Sequence, residues 1–419
     1  MTRRIETDLD RVTVVTTSGR GSLASYARHL AAATAAPTIE VDGCSGTFGH
    51  RFVSGYALRR LRREVGAVRE LASADAPLLH FTSHHLARYG PWTGKPYVVT
   101  VHDLMRHRDW RDRGRETPLI HRPNLRDRLY LRLDAAGLRR ADALVAVSQH
   151  TRRELVDVLG ISPARVVVIP EGVDCHAFRP VPERLLGDPY ILYVGSEQPR
   201  KNLDTLFRAF VRARANVPNL KLVKVGAPGG SEAPFRRHTL ERARATGALP
   251  DLVIVGEVTH DELLAWYSGA HCLVLPSRHE GFGLPPLEAM ACGCPAVVSS
   301  AGALPEVVGD AGVVYGLPDD VGALAEALRR VVSRPETRAR LSLGGLRRAR
   351  EMTWEATAGL TRRLWRELLA DRARTGVATA RRAATIGEAP LSGAHVTDSV
   401  AFERRDSARP LARLRTFRT

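Results

Sequence analysis

Short runs rich in Val and Ile alternate with longer amphipathic stretches along this chain, and the alternation is played through twice. The first series holds VTVVTT at 12–17, then TIEV, PLLHF, PYVVTVHD, ALVAVS and RVVVIP, separated by helical stretches such as 22–33 and 125–140. This is the pattern of strand–helix–strand units in a parallel sheet. A loop, DCHAFRPVPERLLGDP, interrupts it with prolines at 180, 182 and 189, which discourage regular structure. The second series then runs YILYVG, LKLVKVG, DLVIVGEV, CLVLPS, PAVVSS and GVVYG. The reading is two doubly wound α/β domains in tandem, 1–178 and 188–350, facing a central cleft. Ligands of such sheets bind at the carboxyl ends of strands, so function is expected in the residues just after them.

Length agrees, since 419 residues exceed what one hydrophobic core usually serves. The hydrophobic share of 44% and charged share of 26% exclude a disordered, collagen-like or membrane-embedded chain. No apolar run reaches the roughly 18 residues needed to cross a bilayer, and the start, MTRRIETDLD, lacks an apolar h-region. With five scattered cysteines, at 44, 175, 272, 292 and 294, a reducing compartment is expected, and the chain is placed in the cytoplasm. Cys292 and Cys294 are too close for a zinc half-site and read as small core residues.

After the second series comes a helical end. Trp354, Ala358, Leu364, Trp365 and Leu368 are spaced to cover a core surface, and a helix over 351–372 is expected to cross back to the first domain. The remainder, 373–419, loses periodicity and is predicted to be a disordered basic tail. The net charge of +17 raises nucleic acid, anionic membrane and phosphorylated substrates as partners. Only four of the 62 basic residues are lysine, at 95, 201, 221 and 224. The arginine bias reads as codon usage, and each surviving lysine becomes worth following.

Chemistry concentrates in residues 276–309. Glu280 and Glu288 stand eight apart, with Gly281, Gly283, Pro285 and Pro286 between them. The pattern places Glu280 on the loop after CLVLPS and Glu288 in a helix beginning near Leu284, both facing the cleft. Backbone N–H groups at such a helix start attract phosphate. About eighty residues upstream, Arg200-Lys201-Asn202 are expected to open a helix after the strand YILYVG. Basic side chains there oppose the helix dipole unless an anion sits with them, which points to a bound diphosphate.

The order VIPEGVD, YVGSEQPRKN, HEGFGLPPLEAMACGCPAV and MTWEATA resembles the GT-B glycosyltransferases of family 4, retaining enzymes that use nucleotide sugars; the resemblance spans about 10–372. It implies that Arg200 and Lys201 hold the donor diphosphate, with backbone amides of Gly281, Phe282, Gly283 and Leu284 alongside. It implies that Glu288 binds the nucleotide ribose, and that Glu280 lies near donor-sugar hydroxyls. His102, at the end of PYVVTV, is implied to lie close to the transferred sugar, with Asp103 a candidate for acceptor contact. The family's Gly-Gly loop after the first strand corresponds to Gly19, Gly21 and Ser22, the second glycine being replaced by serine. Ser196 stands where some relatives carry a basic residue. Base selection is expected near Val258, Trp266 and the loop after Gly256.

The resemblance implies hexose transfer to an acceptor hydroxyl with retained configuration. Fixed positive groups would stabilise the departing diphosphate without a metal ion or other cofactor; Asp319-Asp320 read as helix-capping acids. The PRKN turn favours GDP-mannose as co-substrate, with a UDP-sugar next. The acceptor is a glycan or lipid-linked molecule. The arginine-rich stretch 58–70 reads either as a contact with anionic lipid, making the protein peripheral to the inner membrane face, or as a solvated helix face. The rivals are a non-transferring GT-B relative, such as an epimerase or phosphorylase, and a nucleic-acid-binding protein. No stacking platform or binding motif supports the second, so specific nucleic acid is not expected.

Overall fold

The structure, a computed structural model, describes residues 2–17, 22–41, 56–112, 114, 118–215, 217, 219–229 and 232–375. In chain order the first half comprises α1 (Thr2–Leu9), β1 (Thr13–Thr17), α2 (Ser22–Thr34), β2 (Thr38–Val41), α3 (Tyr56–Ser73), β3 (Leu79–Phe81), β4 (Tyr97–Val101), α4 (Met105–Arg111), α5 (Leu125–Arg140), β5 (Ala143–Ala146), α6 (Gln149–Leu159) and β6 (Val166–Val168). The second comprises β7 (Tyr190–Val194), α7 (Leu203–Arg214), β8 (Lys221–Val225), α8 (Glu232–Thr246), β9 (Leu252–Gly256), α9 (His260–Gly269), β10 (Cys272–Leu275), α10 (Leu284–Ala291), β11 (Ala296–Val298), α11 (Leu304–Val308), β12 (Val313–Val314), α12 (Val321–Ser333), α13 (Pro335–Glu351) and α14 (Trp354–Thr375).

Among the described residues the strands form two six-stranded sheets, ordered β2-β1-β3-β4-β5-β6 and β12-β11-β10-β7-β8-β9. Every pairing is parallel. The Val and Ile runs therefore do form buried parallel strands: β4 and β5 are buried along their whole length. Helices cover both faces, so each sheet has a core above and below it.

The last helix leaves the second half and returns to the first. Trp365, Leu364, Leu368 and Leu369 join the core formed by Leu9, Val14, Val98 and Val145. The crossing is fixed where two sequence motifs meet: Val173 N donates to Met352 O at 2.9 Å, and Gly172 packs directly on the Thr353–Trp354 peptide. A Cβ at Gly172 would fall on that backbone, so glycine is required there by proximity. The helix begins at Trp354 and runs to Thr375, whereas the sequence suggested 351–372; Glu351 still belongs to α13. An amino-terminal helix, α1, was not anticipated. Its Glu6 and the following Asp10 pair with Arg366 at 3.0 Å and Arg362 at 3.3 Å. The tail from 376 onward lies outside the described residues.

Candidate active site

The site is set by topology. From β7 the chain proceeds outward to β8 and β9, then returns to β10 on the other side of β7. The loops after β7 and β10 consequently diverge and leave a crevice at this switch point. After β7 the chain enters a short 3-10 turn, Pro199–Lys201, and then Asn202 takes a left-handed conformation with φ 60° before α7 begins. The expected α-helical start at Arg200-Lys201-Asn202 is thus a 3-10 turn, because Pro199 opens it and Asn202, a residue that tolerates this region, breaks it. Asn202 also locks the turn to its neighbours. Its Nδ2 donates to Pro318 O at 2.8 Å and Pro276 O at 3.2 Å, and Arg278 N donates to Arg200 O at 2.7 Å.

This turn aims Arg200 and Lys201 at the loop after β10. Lys201 Nζ donates to Glu280 Oε1 at 2.6 Å, Arg200 Nη1 to Glu280 Oε2 at 3.2 Å, and Ser277 Oγ to Glu280 Oε1 at 2.6 Å. The anion demanded by the basic pair is therefore, in this structure, an internal carboxylate. Burial alone would raise the Glu280 pKa; Lys201, Arg200 and the hydrogen bonds from Lys201 and Ser277 outweigh it and bring it down to about 2. Burial likewise pulls Lys201 below its ordinary value, against the attraction of Glu280. The result is a carboxylate paired with two basic side chains, buried at Lys201 and Glu280 and half-buried at Arg200.

Beyond Glu280, Gly283 has φ 113° and leads into α10. Pro285 and Pro286 bring no N–H to that helix start, so the donors for an anion reduce to the amides around Phe282, Gly283 and Leu284. Glu288 lies one turn into α10 and accepts a hydrogen bond from Tyr267 Oη at 2.7 Å; burial raises its pKa. Val258 is half-buried after β9. Trp266, expected near the base, instead packs edge-on against Tyr190 with 3% of its surface exposed. Its ring serves the core and is not free to stack on a base.

The opposite wall comes from the first sheet. His102 follows β4, buried and edge-on to Tyr26 at 4.6 Å. Its Nε2 meets Thr82 O at 2.9 Å and its Nδ1 meets Glu171 Oε1 at 2.6 Å. A carbonyl can only accept, so Nε2 carries the hydrogen of that contact, and the Glu171 carboxyl favours a second hydrogen on Nδ1. Burial disfavours the charged ring, yet the Glu171 and Thr82 contacts prevail and raise its pKa. With both nitrogens engaged, the charged form of the ring is favoured over that of a free imidazole. Asp103 caps the next turn, accepting from Met105 N at 3.1 Å. Ser22 opens α2 with an exposed side chain; Gly19 and Gly21 lie outside the described residues.

The walls touch. Ser148 Oγ, at the start of α6, donates to Gly281 O at 2.7 Å, and Thr151 Oγ1 lies 3.2 Å from both Gly281 O and His102 O. Glu306 of α11 accepts from Gln149 N at 2.7 Å and His150 N at 2.8 Å, placing a carboxylate on the amino end of α6. Glu171, Ser277 and Tyr267 are contributors that sequence reasoning did not single out, although Glu171 and Ser277 sit inside segments that it used. Lys224, flagged only by the scarcity of lysine, proves to be buried against Glu197 at 2.9 Å beneath the loop after β7. Asp320 caps α12 through Ala323 N at 2.8 Å, and Asp319 pairs with Arg278.

Two parallel sheets that meet at the carboxyl ends of their strands, with paired cations at the switch point of the second, define a GT-B protein. The chain belongs to the family 4 glycosyltransferases: a model described as "Glycosyltransferase Family 4" matches 2–177 and one described as "Glycosyl transferases group 1" matches 176–347. A D-inositol 3-phosphate glycosyltransferase of Kineococcus radiotolerans is 36% identical over 256 residues, covering 56% of this chain and 59% of that protein. One of Geodermatophilus obscurus is 39% identical, covering 52% and 50%. The chain thus spans little more than half the length of the curated relatives it matches. Among solved structures, sucrose-phosphate synthase from Thermosynechococcus elongatus superposes with a TM-score of 0.70 at 25% identity, covering 86% of this chain and 100% of that one. HepE of Anabaena in complex with UDP and glucose gives 0.68 at 14% identity, covering 84% and 98%, a likeness of fold.

Proposed function

We propose that this protein transfers a hexose from a nucleoside diphosphate sugar to an acceptor hydroxyl with retention of anomeric configuration and without a divalent cation at the diphosphate. One observation carries the reading: buried Lys201 and Glu280 and half-buried Arg200 form a paired triad at the switch point of the second sheet, beside the amides of Phe282 to Leu284. A departing diphosphate develops negative charge there, and preorganised cations stabilise it without the water reorganisation that solution chemistry requires. Once a donor enters, Glu280 is the acceptor for sugar hydroxyls, and Arg200 and Lys201 turn their remaining donors to phosphate. Glu288 is the acceptor for the ribose. The His102 ring, whose charged form Glu171 favours, comes to the same reaction zone from across the seam.

Mannose from GDP-mannose is the proposed donor, resting on the PRKN turn, with UDP-sugars the alternative. For the acceptor, the names of the curated relatives support a phosphorylated polyol, which also suits a chain of net charge +17. This replaces the glycan or lipid-linked molecule as the first acceptor to try. The test incubates protein, each nucleotide sugar in turn and D-inositol 3-phosphate with EDTA, and reads the product's anomeric proton coupling by NMR. A product with the donor's configuration supports the proposal. An inverted product, or activity that requires added Mg²⁺, overturns it.

A further inference from the structure

A second cluster spans the seam. α6 presents His150 and Glu154 four residues apart, hence on one helix face, and the loop after β10 brings His279 against them. The Nε2 atoms of His150 and His279 are 3.3 Å apart; Glu154 Oε1 lies 2.7 Å from His279 Nε2 and 3.4 Å from His150 Nε2. Glu154 and His279 are 3% and 4% exposed. As hydrogen bonding alone the arrangement is incomplete: two ring nitrogens confront each other, while Glu154 Oε2 and His279 Nδ1 are buried without a partner among the described residues.

The distances suit a cation better. Zinc bound tetrahedrally at about 2.0–2.1 Å holds its ligand atoms about 3.4 Å apart. Two of the three separations already have that length, and the third needs a shift of less than about 1 Å. Arg108 Nη1 donates to Glu154 Oε1 at 2.7 Å, the outer contact that orients a metal-bound carboxylate. His150 and His279 also line a pocket of about 610 Å³, together with Arg108, Arg200 and Ser300. A fourth coordination position would open onto that space.

We propose that His150, Glu154 and His279 form a transition-metal site, suited to zinc, that straps the first domain to the loop carrying Glu280. Two imidazoles and a carboxylate are a zinc donor set, and their origin in both domains means that the metal binds the closed arrangement. Its ligands are distinct from Arg200 and Lys201, although Arg200 lines the same pocket, and the metal site does not depend on the proposed reaction. Chelator-stripped protein is titrated with ZnCl2 by calorimetry, and a Co²⁺-loaded sample is read for the visible bands of a tetrahedral site. The expected result is one zinc per chain, a raised Tm and tetrahedral cobalt bands, with the binding lost in His150→Gln and His279→Gln. Wild-type protein that takes up no zinc overturns the proposal. Binding that survives in both variants, which places the metal on other side chains, overturns it too. The cobalt spectrum of the wild type stands whether or not a variant folds.

Discussion

Glu280 is the residue on which the charge of the cleft turns. Its folded pKa of about 2 lies below the ordinary 4.5, so its pairing contributes stability in full above pH 4.5, and that contribution is lost as pH falls toward 2. Glu280→Gln removes the anion between buried Lys201 and half-buried Arg200 and should cost about 3 kcal/mol at pH 7. Denaturant titrations should show the difference from wild type shrinking by pH 3. His102 has the opposite sign. Its raised pKa gives stability that is complete below pH 6.5 and disappears as pH rises through the folded value. Glu171→Gln should move the titration of the His102 ring protons, followed by NMR, to lower pH; an unchanged titration would show that Glu171 does not hold the charge. The meeting of Arg200 and Lys201 with the loop of Glu280 agrees with what the family resemblance implied, spacing and charge alone being compatible with a solvated surface. Glu171 was not legible in the sequence, because its partner is 69 residues away and no local pattern encodes that pairing.

Among the elements, the loop from Glu280 to Gly283 is the most constrained. Gly281 lies so close to His102 that an added Cβ would fall on the His102 carbonyl oxygen, with Asp103 Cβ at 3.1 Å. Neither backbone can yield without separating the two walls. Gly281→Ala should therefore leave the far-UV spectrum unchanged, enlarge the radius of gyration seen by small-angle scattering, and lower kcat by roughly 100-fold through misplacement of the reacting groups. The strands and most helices could be read from periodicity, since buried parallel strands demand Val and Ile runs. The 3-10 turn could not, because a Pro-Arg-Lys-Asn start satisfies helix-start rules until Asn202 is pinned by Pro276 and Pro318 from distant loops. Trp266 shows the same limit: an aromatic after a candidate base loop looks available until Tyr190 is placed against it.

Across the whole molecule, α14 ties the ends together. Trp365 Nε1 donates to His80 Nδ1 at 3.1 Å, His80 Nε2 contacts Thr100 Oγ1 at 2.8 Å, and Tyr26, which packs on His102, reaches Thr100 at 3.3 Å. Burial, with the His102 charge added, lowers the His80 pKa to about 3, so this link is neutral and insensitive to physiological pH. Trp365→Ala should destabilise the protein by about 3–5 kcal/mol, measured by denaturant unfolding. The two sheets follow from counting strands, and the apolar spacing of Trp354 to Leu368 shows a helix that covers a core, while which core it covers is given by the packing of Trp365 against Leu9 and Val98. The contact between the walls does not follow from the sequence, because the residues that touch, Ser148 and Gly281, carry no signal of each other. The account stands on the diphosphate being held by protein cations. Calorimetric titration of GDP-mannose and UDP-glucose in EDTA, on wild type and Lys201→Ala, tests it most directly. Micromolar binding of one donor that weakens at least about 100-fold in the variant is the predicted result. Equal binding by both proteins, or binding that appears only with Mg²⁺, would contradict it.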